Sequence, residues 1–280
     1  MIPSRQVIPL IYKTVLDYWK NLGIRSASDL DRHLGNFRIL FAYHSGRIEN
    51  SEITYHDTRE IFENGRALHF TGDPRTLFEL QNQKVCYDFL RERIAARLPL
   101  DIALVLETHR ILTEGTYDER RYIENGERPG QFKKHDYITG LYEVGVAARN
   151  VEAEMRALLD EIAEYTGGEI LKVGTYFHAR FEYIHPFADG NGRTGRTLLN
   201  YLLMINGHPP LIVYDEDKAL YYECLQTYDS REEIEPLHKF LTHETEKTWA
   251  KTLSLEANAF SPNRTFDITP PRGYCNCDKT

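Results

Sequence analysis

Apolar side chains recur at helical spacing through most of the chain, and Gly and Pro cut the pattern into segments. Leu30, Leu34, Phe37, Phe41 and Ile48 follow one another at spacings of three, four or seven after a Ser28/Asp29 cap signal. Thr54 reads as the N-cap of a short helix ending at Gly65. Asp73-Pro74 opens another, a cap followed by proline in the first turn, with Phe78, Val85 and Phe89 on one face. Val151, Met155, Leu158 and Ile162 mark a further helix, stopped by Gly167-Gly168. Ile170, Val173, Phe177, Phe181 and Ile184 form the clearest stripe. It breaks at His185-Pro186, because proline disfavours the α conformation in the residue before it. Leu198, Leu199, Leu202 and Ile205 start a new stripe, taken to begin near Thr194 and closed by Gly207 and Pro209-Pro210. The helical pattern then runs on through Phe240 and Trp249. These elements predict an all-α helical bundle, with residues 186–194 as a loop gripped between two buried helices.

Two stretches depart from this pattern. Residues 129–143 combine turn residues with interspersed aromatics and little helical period, which fits a short β-hairpin or an irregular flap. Residues 261–280 carry Pro262, Pro270 and Pro271 and read as an extended strap or a partly disordered tail.

Charge narrows the function classes. The 42 acidic against 34 basic side chains leave a net charge of -8, a poor footprint for a phosphate-backbone binder, so no nucleic acid is expected. A small nucleotide needs only a few local cations and stays open. Cys86, Cys224, Cys275 and Cys277 show no paired framework, and Cys275-Asn276-Cys277 is too short for a zinc knuckle. Free thiols, no apolar h-region in residues 1–10 and no long apolar run together predict a cytoplasmic protein that does not enter a membrane.

The chemistry concentrates in His185-Pro186-Phe187-Ala188-Asp189-Gly190-Asn191-Gly192-Arg193-Thr194-Gly195-Arg196. Glycines let the backbone approach a ligand closely. The free amides of a helix start, with the loop amides, make an anion nest suited to a diphosphate. Arg193 and Arg196 add charge-assisted contacts to phosphate oxygens. Asp189 offers the single hard carboxylate typical of a Mg²⁺ site completed by substrate phosphates. His185 can take a proton from an attacking hydroxyl. Two simpler motifs also match. Gly190, Gly192 and Gly195 satisfy G-x-G-x-x-G, with Asp215 beyond Leu211-Ile212-Val213 as the ribose-binding acid. Residues 190–197 fit a P-loop in which Arg196 replaces the lysine. Both require a preceding strand, and the residues before His185 have helical period. A bare glycine-rich turn with solvated arginines is the plainest alternative.

Residues 185–196 match the Fic signature, His-Pro-Phe-x-(Asp/Glu)-Gly-Asn-Gly-Arg-x-x-Arg, at every fixed position. The chain resembles the Fic family over about residues 28 to 245. The resemblance implies an all-α Fic fold with a small β-hairpin flap beside the active-site loop. It places a helical extension at residues 1–27, the Fic domain at 28–260 and a tail at 261–280. It implies a protein adenylyltransferase that moves AMP from ATP to a Ser, Thr or Tyr hydroxyl of a target protein or of itself. His185 would be the general base and Phe187 a core anchor. Asp189 would hold Mg²⁺, and Gly190, Asn191 and Gly192 would bind phosphates largely through backbone amides. Arg193 would stabilise the leaving pyrophosphate, and Arg196 would engage the γ-phosphate.

Upstream, residues 45–50 (Ser45-Gly46-Arg47-Ile48-Glu49-Asn50) resemble the family's inhibitory motif, in a helix at about 29–50. The resemblance implies that Glu49 pairs with Arg196 and occupies the γ-phosphate position, with Ser45 the other marked residue. Gly46 weakens that helix by ~1 kcal/mol relative to alanine, a soft spot that a releasable brake could use. The 130–143 segment resembles the family flap that docks a target by strand-like pairing, and Gln131, Phe132 and Lys133 are its candidate docking residues. Homo-oligomerisation stays open. So do a nucleotide-sensing regulator without turnover, Fic-type transfer of another nucleotide or phosphate group, and, more distantly, a dinucleotide-binding oxidoreductase.

Overall fold

A computed structural model describes residues 10–67, 70–137, 145–165 and 168–259, with the side chains of 255–259 excepted. Among the described residues the regular structure is helical and no strand occurs, which fits the all-α expectation. The flap prediction is covered only in part. Residues 129–137 are turns and irregular backbone, residues 138–144 lie outside the described residues, and so does the tail from residue 260.

Helix α1 (Leu10–Asn21) packs on α11 (Glu235–Ala259), burying Tyr12, Val15 and Trp19, and Tyr12 Oη meets His208 Nε2 at 2.7 Å. The expected single helix over 29–50 is two. Helix α2 (Ala27–His33) ends at Leu34, and α3 (Gly35–Glu49) starts at once behind it. The α2 cap is Ser26, two residues earlier than expected. Its side chain accepts from Asp29 N–H while the Asp29 carboxylate reaches back to the Ser26 N–H, a closed capping box. Thr54 caps α4 (Tyr55–Asn64), which Gly65 ends with φ 73°, and Asp73 caps α5 (Pro74–Ala95), both where the sequence places them.

Helix α5 is turned from its expected face. Phe78 and Val85 are 46% and 53% exposed, and the buried face carries Glu79, Leu80, Asn82, Gln83, Cys86, Leu90 and Ile94. Polar positions face inward because they have partners there. Asn82 Nδ2 donates to Glu114 O at 2.8 Å, at the end of α6 (Ile102–Thr113), and Glu79 Oε1 lies 3.2 Å from Arg193 Nη1.

Helices α8 (Ile170–Ile184) and α9 (Asn191–Ile205) form the central pair. With α6 and α7 (Val151–Glu164) they enclose Val105, Met155, Leu158, Phe177, Phe181, Phe187 and Leu198. On the other side they meet α10 (Lys218–Arg231) and α11 around Leu199, Leu203, Tyr221, Leu237 and Leu241. Helix α3 lies against α5 and α9, with Ile48 in the second of these cores and Ile39 and Ala42 in a third with Ile53, Ile61 and Leu80. Gly46 is buried, and a Cβ there would stand 2.7 Å from Ile53 Cδ1. Its lack of a side chain therefore serves close packing of α3.

Candidate active site

The loop between α8 and α9 is tighter than the sequence suggested, spanning 185–190. His185 closes α8 in the left-handed region (φ 51°, ψ 62°), and Gly190 (φ 79°) opens α9, so the helix begins at Asn191, not Thr194. The physical reason is Asn191 itself. Its Oδ1 accepts from Phe187 N–H at 2.9 Å and its Nδ2 donates to Phe187 O at 2.8 Å, which closes the loop from within. The side chain of Asn191 is thus spent on the loop, and only its backbone amide can serve an anion. The first intrahelical bond is Thr194 N–H to Gly190 O at 3.0 Å. The N–H groups of 191–193 lie ahead of it, at the positive end of α9.

These residues line a cavity of about 500 Å³ with Glu49, Arg75, Glu79, Arg121, His185, Asp189 and Gly192 among its walls. A polar cleft of this size suits a nucleotide. The helix preceding the loop excludes both the Rossmann and the P-loop geometries. Asp215 is likewise not a ribose acid, since it holds His44 Nδ1 at 2.6 Å and Arg47 Nε at 3.0 Å on α3.

The two arginines are not solvated, for each is 2% exposed. Arg193 Nη1 lies 3.2 Å from Glu79 Oε1 and its Nη2 3.9 Å from Asp189 Oδ1. Arg196 donates from Nε to Ser45 Oγ (3.1 Å) and from Nη2 to Ser45 O (2.8 Å) and Glu49 Oε1 (2.7 Å). Ser45 and Glu49 of α3 thus converge on one guanidinium. Gly192 makes the approach possible, because a Cβ there would stand 2.4 Å from Glu49 Oε1.

Asp189 is held ionised. Arg193 and Arg75 pull its carboxyl below the usual range, although burial pushes the other way. His185 is held neutral. Burial first, and the nearby Lys133 ammonium second, push its imidazole down to about 4. Segments on either side of residues 138–144 are tied to the loop region, with Lys133 N–H on Pro186 O at 2.9 Å and Val146 N–H on Ile184 O at 3.1 Å. Lys133 is 3% exposed, and Phe132 stacks on Phe187 at 5.7 Å, so both are packed against the loop.

Several participants escaped the sequence reading. His109 stacks on Phe187 with centroids 3.6 Å apart, accepts at Nδ1 from Gly130 N–H (2.9 Å) and donates from Nε2 to Asp189 O (2.9 Å). That pair of bonds requires the neutral ring, in line with burial pushing it down to about 3. It links Gly130 to the loop. Glu182, on α8, lies beside Arg196, and burial raises its carboxyl to about 8. Its signal was a glutamate next to Phe181 and four residues after His178, polar positions inside an apolar helix. Arg75 and Glu79 gave only an i, i+4 charge pair, which looks the same on any solvated face.

Comparisons with known proteins agree with this geometry. Residues 99–203 match the Fic/DOC family. Curated relatives include protein adenylyltransferase Fic from Drosophila persimilis, 29% identical over 216 residues, covering 74% of this chain and 39% of the relative. The protein of the same name from Drosophila melanogaster is 28% identical over 216 residues, 74% of this chain and 40% of its own. The chain thus spans about two fifths of the length of these relatives. Among solved structures, a Fic domain containing signaling protein from Bacteroides thetaiotaomicron superposes with a TM-score of 0.75 at 22% identity, over 91% of this chain and 100% of that one. Fic-1 from C. elegans gives 0.72 at 21%, over 89% and 72%. At such identities these two structures speak for the fold alone. Residues 99–203 are thus similar to the Fic/DOC family, within an all-α fold that the chain shares with Fic-domain structures over about nine tenths of its length.

Proposed function

We propose that this protein is a Mg²⁺-dependent protein adenylyltransferase, transferring AMP from ATP to a Ser, Thr or Tyr hydroxyl and held off by its own Glu49. The observation that carries the reading is the pairing of Glu49, on the wall of a cavity floored by the start of α9, with the buried Arg196 guanidinium at 2.7 Å. A carboxylate on that guanidinium removes the cation meant for a terminal phosphate and repels the phosphate as well.

In the transfer, the target hydroxyl oxygen attacks the α-phosphorus and its proton passes to a ring nitrogen of His185. The new O–P bond forms as the bond to the β-phosphate bridging oxygen breaks, and pyrophosphate leaves. Arg193 and the first amides of α9 stabilise the charge gathering on the pyrophosphate. Arg196, once free of Glu49, positions the γ-phosphate. Asp189 fits a Mg²⁺ ligand, an ionised carboxylate at the cavity with room for substrate phosphates to complete the shell. Bound there, Mg²⁺ supplies charge neutralisation to the phosphates. The flap, with Gln131 beside the anchored Phe132 and Lys133, would align the target chain, and an exposed tyrosine of the protein itself is an acceptor of the same chemistry. ATP and the buried free thiols Cys86 and Cys224 suit the cytoplasm.

The test incubates wild type, Glu49→Gly and Glu49→Gly/His185→Ala with α-labelled nucleoside triphosphates, Mg²⁺ and a cell lysate. A mass gain of one AMP on a protein, from ATP and not from UTP, is the expected product. Nucleotide binding without any transferred group in Glu49→Gly would instead make the protein a nucleotide sensor.

The state of His185 adds a pH expectation. A base with its pKa pushed down to about 4 stays neutral far below the free-histidine value. The rate of Glu49→Gly is therefore expected to be flat from about pH 6 to 8 and to fall only on further acidification, where free imidazole would already lose half its base near pH 6.5. A pH–rate profile with its acid limb at 6.5 contradicts this.

A further inference from the structure

Asp189 faces the cavity with a cation already upon it. Arg75, in the first turn of α5, places Nη2 2.8 Å from Asp189 Oδ2, while Oδ1 accepts from Gly190 N–H at 2.7 Å. Arg75 is fixed in that pose by Glu79, whose Oε1 takes its Nε at 3.2 Å. Glu79 is 4% exposed, lies 3.2 Å from Arg193 Nη1, and accepts from Asn50 Nδ2 at 3.0 Å, the residue directly after Glu49. The guanidinium is thus tethered by one carboxylate and docked on another.

A guanidinium does not deprotonate in a protein, so this charge is permanent. A divalent cation binding this carboxylate at about 2.0–2.1 Å would stand a few ångströms from the guanidinium, a like charge that shares Oδ2 and lowers the cation's affinity while Arg75 stays in place. We propose that Arg75 is a resident counter-cation, a built-in competitor at Asp189 that sets how much divalent cation the site requires. This rests on the reading of Asp189 as the metal ligand of a nucleotide site. Glu79 strengthens the competition by holding the guanidinium in register. Because Glu79 also binds Asn50, the end of the inhibitory helix and the metal carboxylate share one hub.

The competing role for Arg75 is a third phosphate contact, and binding measurements separate the two. ATP is titrated calorimetrically onto Glu49→Gly protein in EDTA and in Mn²⁺, with and without Arg75→Gln. The readout is the factor by which metal tightens ATP. Loss of a like charge at this range is expected to raise that factor about tenfold in Arg75→Gln, with affinity in EDTA little changed. Arg75→Lys keeps the charge and should stay near the parent. Arg75→Ala, at a side chain 36% exposed, serves as a second charge-free variant. Asp189→Asn should abolish the metal gain in every background. An unchanged factor, or Arg75→Gln weakening ATP equally in EDTA and Mn²⁺, overturns the proposal and leaves the nucleotide reading standing. Failure of ATP to bind any of these proteins, with or without metal, sinks both.

Discussion

Replacing Glu49 by glycine is expected to raise AMP transfer about a hundredfold, which corresponds to about 2.7 kcal/mol of barrier. The geometry makes the direction definite. Glu49 Oε1 sits 2.7 Å from Arg196 Nη2 and would lie 2.4 Å from a Cβ at Gly192, so the carboxylate stands against the first turn of α9, whose amides are the proposed phosphate site. Arg196 keeps its two bonds to Ser45 and has Glu182 nearby, so it should remain in place for the terminal phosphate. A second signature accompanies the gain. Breaking a buried ion pair from one side costs about 3–5 kcal/mol at the extreme, and less here because Glu49 is partly exposed. Glu49→Gly should therefore melt at lower temperature than wild type, and saturating ATP should recover much of the loss, about 2.7 kcal/mol at a hundred times its Kd. Label incorporation and thermal unfolding check the two halves. Equal transfer by wild type and Glu49→Gly would leave Glu49 as an ordinary partner of Arg196.

His185→Ala in the Glu49→Gly background is expected to lower transfer by about a thousandfold, within the range measured for a positioned general base. The effect should fall on kcat with ATP binding little altered, because no phosphate contact is assigned to the imidazole. The backbone of residue 185 is left-handed, which alanine adopts less readily than glycine. A His185→Gly variant therefore controls for strain. Both variants should be equally inactive if the lost proton acceptor is the cause. Substantial transfer by the double variant would require another base.

How far the sequence carried can be judged residue by residue. The cap signals at Thr54 and Asp73 and the stop at Gly65 were legible because they act within a few residues of chain. So was the stripe of α8, of which Val173, Phe177, Phe181 and Ile184 are buried. The Glu49–Arg196 pair, 147 positions apart, was reached only through the family resemblance, since nothing local links the two residues. Phe78 and Val85 misled because α5 buries a polar side whose Glu79 and Asn82 find partners across the helices, which amphipathic pattern alone does not register. The start of α9 was misplaced because Asn191 bonds to Phe187, a contact that periodicity cannot register. Arg75, Glu79, His109 and Glu182 stayed hidden for a common reason. Each acts across helices, and each has the spacing of an ordinary surface or core residue.

The clasp of Asp215 on His44 and Arg47 bears on how the proposed brake could be released. The chain that leaves α9 grips α3 on one flank through Asp215, while α9 itself grips it through Arg196. A helix cross-braced at two points, with Ile39, Ala42 and Ile48 sunk in the interior, cannot swing aside cheaply. What remains is the last turn, where the Glu49 side chain is 35% exposed. Activation would then be a matter of one side chain changing its rotamer while the scaffold stands still.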